Sequence, residues 1–461
     1  MRYISSRGGI DPLSFSQAVM MGLATDGGLL LPEQIPTVPA ATLRQWASWP
    51  FTSLASEIVA LFVGDDIPRN HLDDLVQRSY RHFTHAAITP VIWAGGRPIL
   101  ELFHGPTLAF KDVALQLLGN LFEYLLQRDG GRLNILGATS GDTGSAAIHG
   151  VRGKAGIHIF MIHPHQRVSP VQERQMTSVL DDNVHNIAIC GTFDDGQRIV
   201  KDLFNDLAFR QKYHLGAVNS INWARILAQI VYYFHAWGQV TGGDASRPVT
   251  FSVPTGNFGD IFAGYMAQRM GLPIERLILA TNCNDILTRF MRTGSYQTGT
   301  VQPTISPSMD IQVSSNFERF LFYLLDQDGA LVRQRMNQFH TQGQFSVNAD
   351  QLQQANRIFT ARAVSEQQTL EQMRQLYQTT GYISDPHTAV GLAAAAEWPE
   401  AICLATAHPA KFAAAVQQAI GHDPDQPPPL QGLMAGDTRC TILPAETNAI
   451  RAHMVDTLAS L

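Results

Sequence analysis

Short apolar segments alternate with helix-forming segments from about residue 98 to the end of the chain. Each apolar segment has the length of a buried strand, and most of them end in a polar loop. The predicted strands are 98–103, 132–136, 156–162, 184–190, 249–253, 277–281 and 401–406. Strands that alternate with helices predict parallel sheets covered by helices on both faces, a doubly wound α/β architecture.

Residues 1–95 show a different pattern, in which apolar positions recur at helical spacing. Helices are predicted near residues 15–23, 54–62 and 72–83. We therefore expect a helical N-terminal region over 1–95, a large domain built from 96–120 and 250–461, and a small mobile α/β domain over 121–249. The glutamine-rich stretch 350–380 also keeps helical spacing and predicts exposed helices.

Composition and charge exclude several classes of protein. The chain has 461 residues, enough for two or three domains, and its 16% charged and 45% hydrophobic residues indicate a large packed interior. A net charge of −6 provides no basic field for nucleic acid. Because no apolar run reaches the roughly 18 residues that span a bilayer, we expect no membrane partner.

The spacing of the cysteines indicates the cellular compartment of the protein. The four cysteines, at positions 190, 283, 403 and 440, form no CxxC or metal-knuckle spacing. This spacing favours a cytoplasmic protein with reduced thiols. His163 and His165 lack a carboxylate partner at ligand spacing, so we expect no metal.

Three polar loops follow predicted strands, and ligands of open α/β sheets bind beyond the carboxyl ends of strands. The first loop, 104–112, places Lys111 just inside a helix start between Phe110 and Val113. The helix N-terminus and the apolar neighbours both favour a neutral amine, the form that attacks a carbonyl. Position alone leaves two interpretations open, a Schiff-base lysine and an ordinary surface lysine.

The other two loops have the composition of anion-binding sites. Segment 137–144 has hydroxyls on Thr139, Ser140 and Thr143, together with the N–H groups of a helix start. These groups are suited to a carboxylate or phosphate, although they would equally cap the helix. Residues 256–260 place two glycines before a helix, which favours a phosphate, although Asp260 would equally serve as a helix cap. Neither loop has the Walker A or GxGxxG spacing, which counts against a nucleotide-binding module.

Together these segments resemble the threonine synthase family, whose members are pyridoxal-phosphate (PLP) enzymes of fold type II. The resemblance covers nearly the whole chain, through segments 3–8, 23–29, 104–112, 138–147, 254–260, 307–319 and 405–412. It implies open, mostly parallel sheets covered by helices, with a helical N-terminal region. It also implies the cofactor PLP.

The resemblance implies a role for each candidate residue. Lys111 would form the Schiff base with PLP, and Thr406 would face the pyridine nitrogen. The phosphate of PLP would be held by Gly256, Asn257, Phe258, Gly259 and Asp260. Thr139, Ser140 and Thr143 would bind the substrate carboxylate. Asp142 stands where some family members have an asparagine that contacts the phenolic oxygen of PLP, so its role as a cofactor ligand is a hypothesis.

The implied reaction is the conversion of O-phospho-L-homoserine and water to L-threonine and phosphate. A related phospho-lyase or a serine/threonine dehydratase is the alternative, and segment 307–319 favours the synthase. The expected partner is this small-molecule substrate, with no nucleic acid and no membrane. The sequence leaves open whether the protein is a monomer or a homodimer.

Overall fold

The apolar segments form strands close to the predicted positions. A computed structural model describes residues 1–460 of the chain. Its strands are β1 (Tyr3–Ser5), β2 (Leu30–Pro32), β3 (Val91–Ala94), β4 (Arg97–Glu101), β5 (Leu133–Ala138), β6 (Ile157–Pro164), β7 (Val184–Cys190), β8 (Leu215–Gly216), β9 (Val249–Pro254), β10 (Ile274–Thr281), β11 (Ser295–Gln297), β12 (Gln344–Ser346), β13 (Phe359–Ala363), β14 (Ile402–Ala405) and β15 (Thr441–Pro444).

Helices occupy most of the remaining chain. The α-helices are α1 (Phe15–Met21), α2 (Ala40–Trp46), α3 (Phe51–Val63), α4 (Arg69–Tyr80), α5 (Lys111–Asp129), α6 (Asp142–Val151), α7 (Pro170–Thr177), α8 (Phe193–Asn205), α9 (Leu207–Lys212), α10 (Trp223–Thr241), α11 (Gly259–Arg269), α12 (Ile286–Thr293), α13 (Phe317–Leu324), α14 (Gly329–Gln342), α15 (Ala349–Ile358), α16 (Glu366–Thr380), α17 (Pro386–Ala394), α18 (Ala413–Ile420) and α19 (Thr447–Ala459). Within residues 1–460, no helix is long and apolar enough to cross a membrane.

Contacts within the chain separate two compact units. The large unit comprises Met1–Phe110 and Ser220–Asp425, and the small unit comprises Lys111–Asn219 and Gln426–Leu461. The domain organisation expected from the sequence, with limits at 95, 120 and 249, stays a prediction. Which residues move together during turnover stays a prediction.

The large unit is built on a six-stranded sheet with the order β13-β10-β9-β14-β4-β3. Neighbouring strands are parallel except β3 and β4, which form an antiparallel pair. Helices α11 and α17 pack against β9 and β10. This sheet confirms the predicted parallel α/β architecture.

The small unit has a five-stranded, fully parallel sheet with the order β15-β7-β6-β5-β8. Helices α6 and α8 pack on it. The end of the chain contributes β15 and α19, which follow the proline-rich linker near residues 423–429. Strand β7 has the predicted bounds, Val184–Cys190.

Two strands of the large sheet, β3 and β13, were not predicted from the sequence, for the same reason. Strand β13 lies inside the glutamine-rich stretch that predicts only helices, and β3 lies in a region expected to be helical. Both are edge strands, with several half-buried or exposed side chains. An edge strand needs no continuous apolar run, so its pattern is weak.

The close approach of α5 and α6 determines where two charged residues of the small unit lie, because Lys111 begins α5 and Asp142 begins α6. A Cβ on Gly119 of α5 would lie 1.9 Å from the carbonyl oxygen of Gly150 in α6. A Cβ on Gly150 would lie 2.5 Å from the carbonyl oxygen of Leu115. The two helices therefore pack backbone against backbone.

We expect Gly119→Ala to lower the free energy of unfolding by about 1–3 kcal/mol, because the added methyl group overlaps the backbone of α6. The measurement is chemical denaturation followed by circular dichroism. Gly436→Ala is a matched control in the same unit, since its φ is −73° and the nearest atom to an added Cβ is 4.0 Å away. Equal stability of the two variants would contradict the backbone contact.

Candidate active site

Three neighbouring strands of the large unit end at the same edge of its sheet. Cys403 in β14 is level with Ser252 in β9 and Ile99 in β4. The residues that follow these strands are therefore neighbours at their carboxyl ends: loop 255–258 after β9, Thr406 after β14, and segment 102–110 after β4.

The segment that leads to Lys111 is attached directly to the end of β14. Phe110 donates its N–H to the carbonyl oxygen of Thr406 at 2.8 Å, and Ala109 forms an antiparallel bridge with Ala407. Thr406 itself is buried. The residue that precedes Lys111 in the chain is thus held beside the buried Thr406.

The loop before α11 has a backbone suited to an anion. A Cβ on Gly256 would lie 2.7 Å from the carbonyl oxygen of Ser308, so this position requires glycine. Phe258 has φ +66° and ψ 1°, a left-handed conformation that is strained for a bulky residue. Helix α11 begins at Gly259, whose N–H donates to Oδ1 of Asn257 at 2.9 Å, while the later N–H groups of a first helical turn lack intrahelical acceptors. These residues fit the phosphate group of PLP.

The carboxyl group of Asp260 binds neighbouring tyrosines, so Asp260 contributes its backbone N–H to the proposed phosphate loop. Its Oδ1 accepts the hydroxyl of Tyr232 at 2.5 Å and that of Tyr233 at 2.9 Å, while Oδ2 is buried without a hydrogen-bond partner. Burial raises the pKa of Asp260 to about 6. The carboxyl group thus joins α10 to α11. The group that can donate to an anion is the N–H of Asp260.

In the small unit, the two candidate residues Lys111 and Asp142 lie together. Lys111 is only 7% exposed, and its Nζ lies 3.6 Å from Oδ2 of Asp142, which is 6% exposed. Oδ1 of Asp142 accepts the side-chain amide of Gln172 at 2.7 Å. Lys111 is therefore not a surface lysine, and a carboxylate held by Gln172 lies beside its amino group.

The loop after β5 is shaped by one of its own hydroxyls. Oγ1 of Thr139 accepts the N–H groups of Gly141 at 3.0 Å and of Gly144 at 2.9 Å. Thr139 is buried, whereas Ser140 is exposed and Thr143 is half-buried. The hydroxyls of Ser140 and Thr143 are therefore the accessible ones. The role of all three residues toward a substrate stays a prediction.

Sequence analysis missed a buried arginine in the large unit. Arg225, in the first turn of α10, is 3% exposed, and its Nε and one terminal nitrogen have no hydrogen-bond partner within the described residues. Burial lowers the pKa of Arg225 to about 10, so the guanidinium is still charged at neutral pH. A buried cation of this kind requires an anion. The signal in the sequence was a single arginine within an otherwise apolar helix start.

Comparisons with known proteins bear on these features. Three family models match the chain: "Threonine synthase N terminus" over residues 2–80, "Pyridoxal-phosphate dependent enzyme" over 99–406, and "Threonine synthase, C-terminal" over 388–454. A threonine synthase of Pseudomonas aeruginosa is 49% identical, with 98% of each chain covered. The chain belongs to the threonine synthase family.

Solved threonine synthase structures have the same fold. The PLP-bound threonine synthase from Brucella melitensis matches with a TM-score of 0.96 and 45% identity, over 99% of each chain. The yeast threonine synthase matches with a TM-score of 0.96 and 43% identity, over 100% of this chain and 99% of the other. Membership of the threonine synthase family confirms the predicted fold type II and the cofactor PLP, and it makes the protein a PLP-dependent lyase.

The pKa of Asp260 predicts how its replacement changes the pH dependence of stability. Because the folded chain holds this proton up to a pH of about 6, whereas an unfolded aspartate releases it near 3.8, rising pH across this window destabilises the folded state. We expect Asp260→Asn to remove this loss, a gain of up to about 3 kcal/mol relative to the unsubstituted chain between pH 4 and 7.

The asparagine Oδ1 can still accept the tyrosine hydroxyls, so the comparison isolates the titrating proton. Unfolding curves of both proteins at several pH values between 4 and 7 provide the measurement. Parallel stability profiles would show that Asp260 keeps an ordinary pKa.

Proposed function

We propose that the protein converts O-phospho-L-homoserine and water to L-threonine and inorganic phosphate. The observation that carries this proposal is the buried Lys111 beside Asp142, in a chain that belongs to the threonine synthase family. The family supplies the reaction class. The buried lysine supplies an amine of the kind on which PLP chemistry depends.

PLP, when bound, supplies an electron sink for the charge that develops when the substrate loses its Cα proton. In our proposal, Lys111 holds the carbonyl carbon of the cofactor, and the backbone of 256–260 holds its phosphate. Thr406 presents a neutral hydroxyl to the ring nitrogen. Asp142 as a ligand of the phenolic oxygen stays a hypothesis, because two negative oxygens repel unless one carries a proton.

The side chains of the protein carry out the proton transfer and the substrate binding. The amino group of Lys111, once released by the substrate, removes the Cα proton and returns a proton at the end of the reaction. The carboxylate of Asp142, fixed by Gln172, keeps that amino group in place. Ser140, Thr143 and the loop shaped by Thr139 bind the substrate carboxylate. Departure of the phosphate breaks the Cγ–O bond and requires removal of a Cβ proton; a proton is then supplied at Cγ, and water gives its hydroxyl to Cβ and releases its proton before the Cα proton is returned.

Arg225 is the proposed partner of the substrate phosphate. Its side chain is charged and buried, and two of its nitrogens have no acceptor within the described residues. Cδ1 of the neighbouring Ile226 lies 3.5 Å from the position that a Cβ on Gly259 would take. The proposed phosphate loop already provides N–H donors for the cofactor. A second phosphate, that of the substrate, would supply the anion that Arg225 requires.

We also propose a cytoplasmic location. All four cysteines are free thiols, which is the state expected in a reducing compartment.

Lys111→Ala is expected to abolish both the visible absorbance of the bound cofactor and turnover, because no other amine takes the position of Nζ. The unsubstituted protein should be yellow and should release phosphate and threonine in equal amounts from O-phospho-L-homoserine. Lys154→Ala, which removes a half-buried lysine paired with Glu123, is the matched control and should remain yellow and active.

Three results would contradict the proposal in different ways. Absorbance and turnover retained in Lys111→Ala would refute the role of Lys111. Phosphate released with a 2-keto acid and no threonine would assign a lyase without the synthase step. A protein that stays colourless with added PLP would refute the cofactor site.

Arg225→Met is expected to raise the KM for O-phospho-L-homoserine by about 30-fold or more, because a buried charged contact to phosphate is lost. The same variant should be at least as stable as the unsubstituted protein, since the cost of burying the charge disappears. Arg276→Met, which removes an arginine bonded to Thr360, is the control and should leave KM unchanged. Faster loss of PLP with an unchanged KM would instead assign Arg225 to the cofactor phosphate.

A further inference from the structure

Residues 314–317, here called the support segment, contact the first three residues of the proposed phosphate loop, 256–258. Oγ of Ser314 donates to the carbonyl oxygen of Gly256 at 2.8 Å, and the N–H of Asn316 donates to that of Asn257 at 2.9 Å. The ring of Phe317 packs edge to face against Phe258, with centroids 5.3 Å apart. The support segment lies within 307–319, one of the segments that resemble the threonine synthase family.

The side chain of Asn316 lies at the centre of these contacts. Its Nδ2 donates to the carbonyl oxygen of Ser220 at 3.1 Å and lies 3.2 Å from the position that a Cβ on Gly259 would take. Its N–H binds Asn257 in the loop, as described above. A single residue therefore joins the start of α11 to the chain that enters α10.

Arg319 determines which way the amide of Asn316 points. One terminal nitrogen of Arg319 donates to Oδ1 of Asn316, so Nδ2 must face Ser220 and Gly259. The other terminal nitrogen donates to the carbonyl oxygen of Ile221 at 2.5 Å and to that of Leu30 at 3.0 Å. Arg319 is fully buried, so it cannot turn away without leaving its donors unpaired.

These contacts explain how a strained loop persists. A phenylalanine in the left-handed region is retained only when its surroundings hold it there. The support segment supplies that restraint through one ring contact and two hydrogen bonds to the residues on the N-terminal side of Phe258. Since the loop is held by its own protein neighbours, its N–H groups are oriented before an anion arrives.

We propose that Asn316 is a positioning residue for the cofactor phosphate, and that it slows release of PLP by holding the start of α11 and the segment before α10 in one arrangement. The inference rests on the proposed role of residues 256–260 as the phosphate loop. It assigns a function to the support segment that is separate from chemistry at Lys111.

The test measures the rate of PLP release from the holoenzyme, followed by loss of visible absorbance while the free cofactor is trapped. Asn316→Ala should release PLP about 10-fold faster, because the carbonyl oxygen of Ser220 loses its donor and the loop loses its support. With saturating PLP, its KM for O-phospho-L-homoserine should stay within about 2-fold of the unsubstituted value, a split that separates positioning from substrate binding.

Asn316→Asp tests the effect of a negative charge at this position with little change in side-chain shape. The carboxylate has nearly the same size and can still accept from Arg319, but its second oxygen would face Ser220 and add negative charge beside Gly259. It should therefore release PLP faster than Asn316→Ala. Ser314→Ala removes only the hydrogen bond to Gly256, and a smaller acceleration, about 3-fold, is expected from it. This milder variant keeps the test decisive if substitutions at 316 prevent folding.

Asn183→Ala is the matched control in the small unit. Asn183 is also buried and donates to two carbonyl oxygens, those of Val151 and Ile157, so its loss should cost stability without altering PLP release. Equal release rates in the Asn316 variants and the unsubstituted protein would overturn the inference while leaving the proposed function intact. Equally fast release from Asn183→Ala would also overturn it, by showing a general effect of stability. An unsubstituted protein that binds no PLP would overturn both proposals.

Discussion

The free-energy cost of burying charge governs how the candidate site of this protein is built. Lys111 is buried beside Asp142, and Asp260 is buried beneath two tyrosine hydroxyls. Arg319 is buried against backbone carbonyl oxygens and the amide of Asn316. Each of these groups has at least one hydrogen-bond or ion-pair partner within the chain, as burial requires. Arg225 has two nitrogens without such compensation among the described residues, which makes it the group that calls for an anionic ligand.

A second constraint follows from the backbone of the proposed phosphate loop. Position 256 has no room for a Cβ, and the left-handed backbone of Phe258 is unfavourable for a bulky residue. Together these two features orient the N–H groups of α11. The support segment, residues 314–317, offsets this strain with packing and hydrogen bonds from a distant part of the chain. The strained backbone of the loop therefore depends on the support segment, because strain of this kind persists only where surrounding residues hold it.

Much of the fold was predictable because its signals are local. Strand β7 was predicted with its observed bounds, and the polar loops before α6 and α11 were recognised from glycines and hydroxyls alone. Edge strands such as β13 were missed, since only Phe359 of its five residues is buried and no continuous apolar run marks it. The residues around Lys111 left its role open until the resemblance to a known family was considered, because a lysine at a helix start has the same pattern whether it is buried or exposed.

The sequence by itself determined the alternation of strands and helices, the parallel architecture and the loops that carry the candidate chemistry. These properties depend on spacing within a few residues, which a linear pattern records. Only the tertiary structure decided that Lys111 is buried against Asp142, that Arg225 lacks an internal counter-charge, and that Asn316 supports a loop about 60 residues away in the chain. Burial and hydrogen-bond pairing between distant segments arise from packing, and no local pattern encodes which distant atoms will meet.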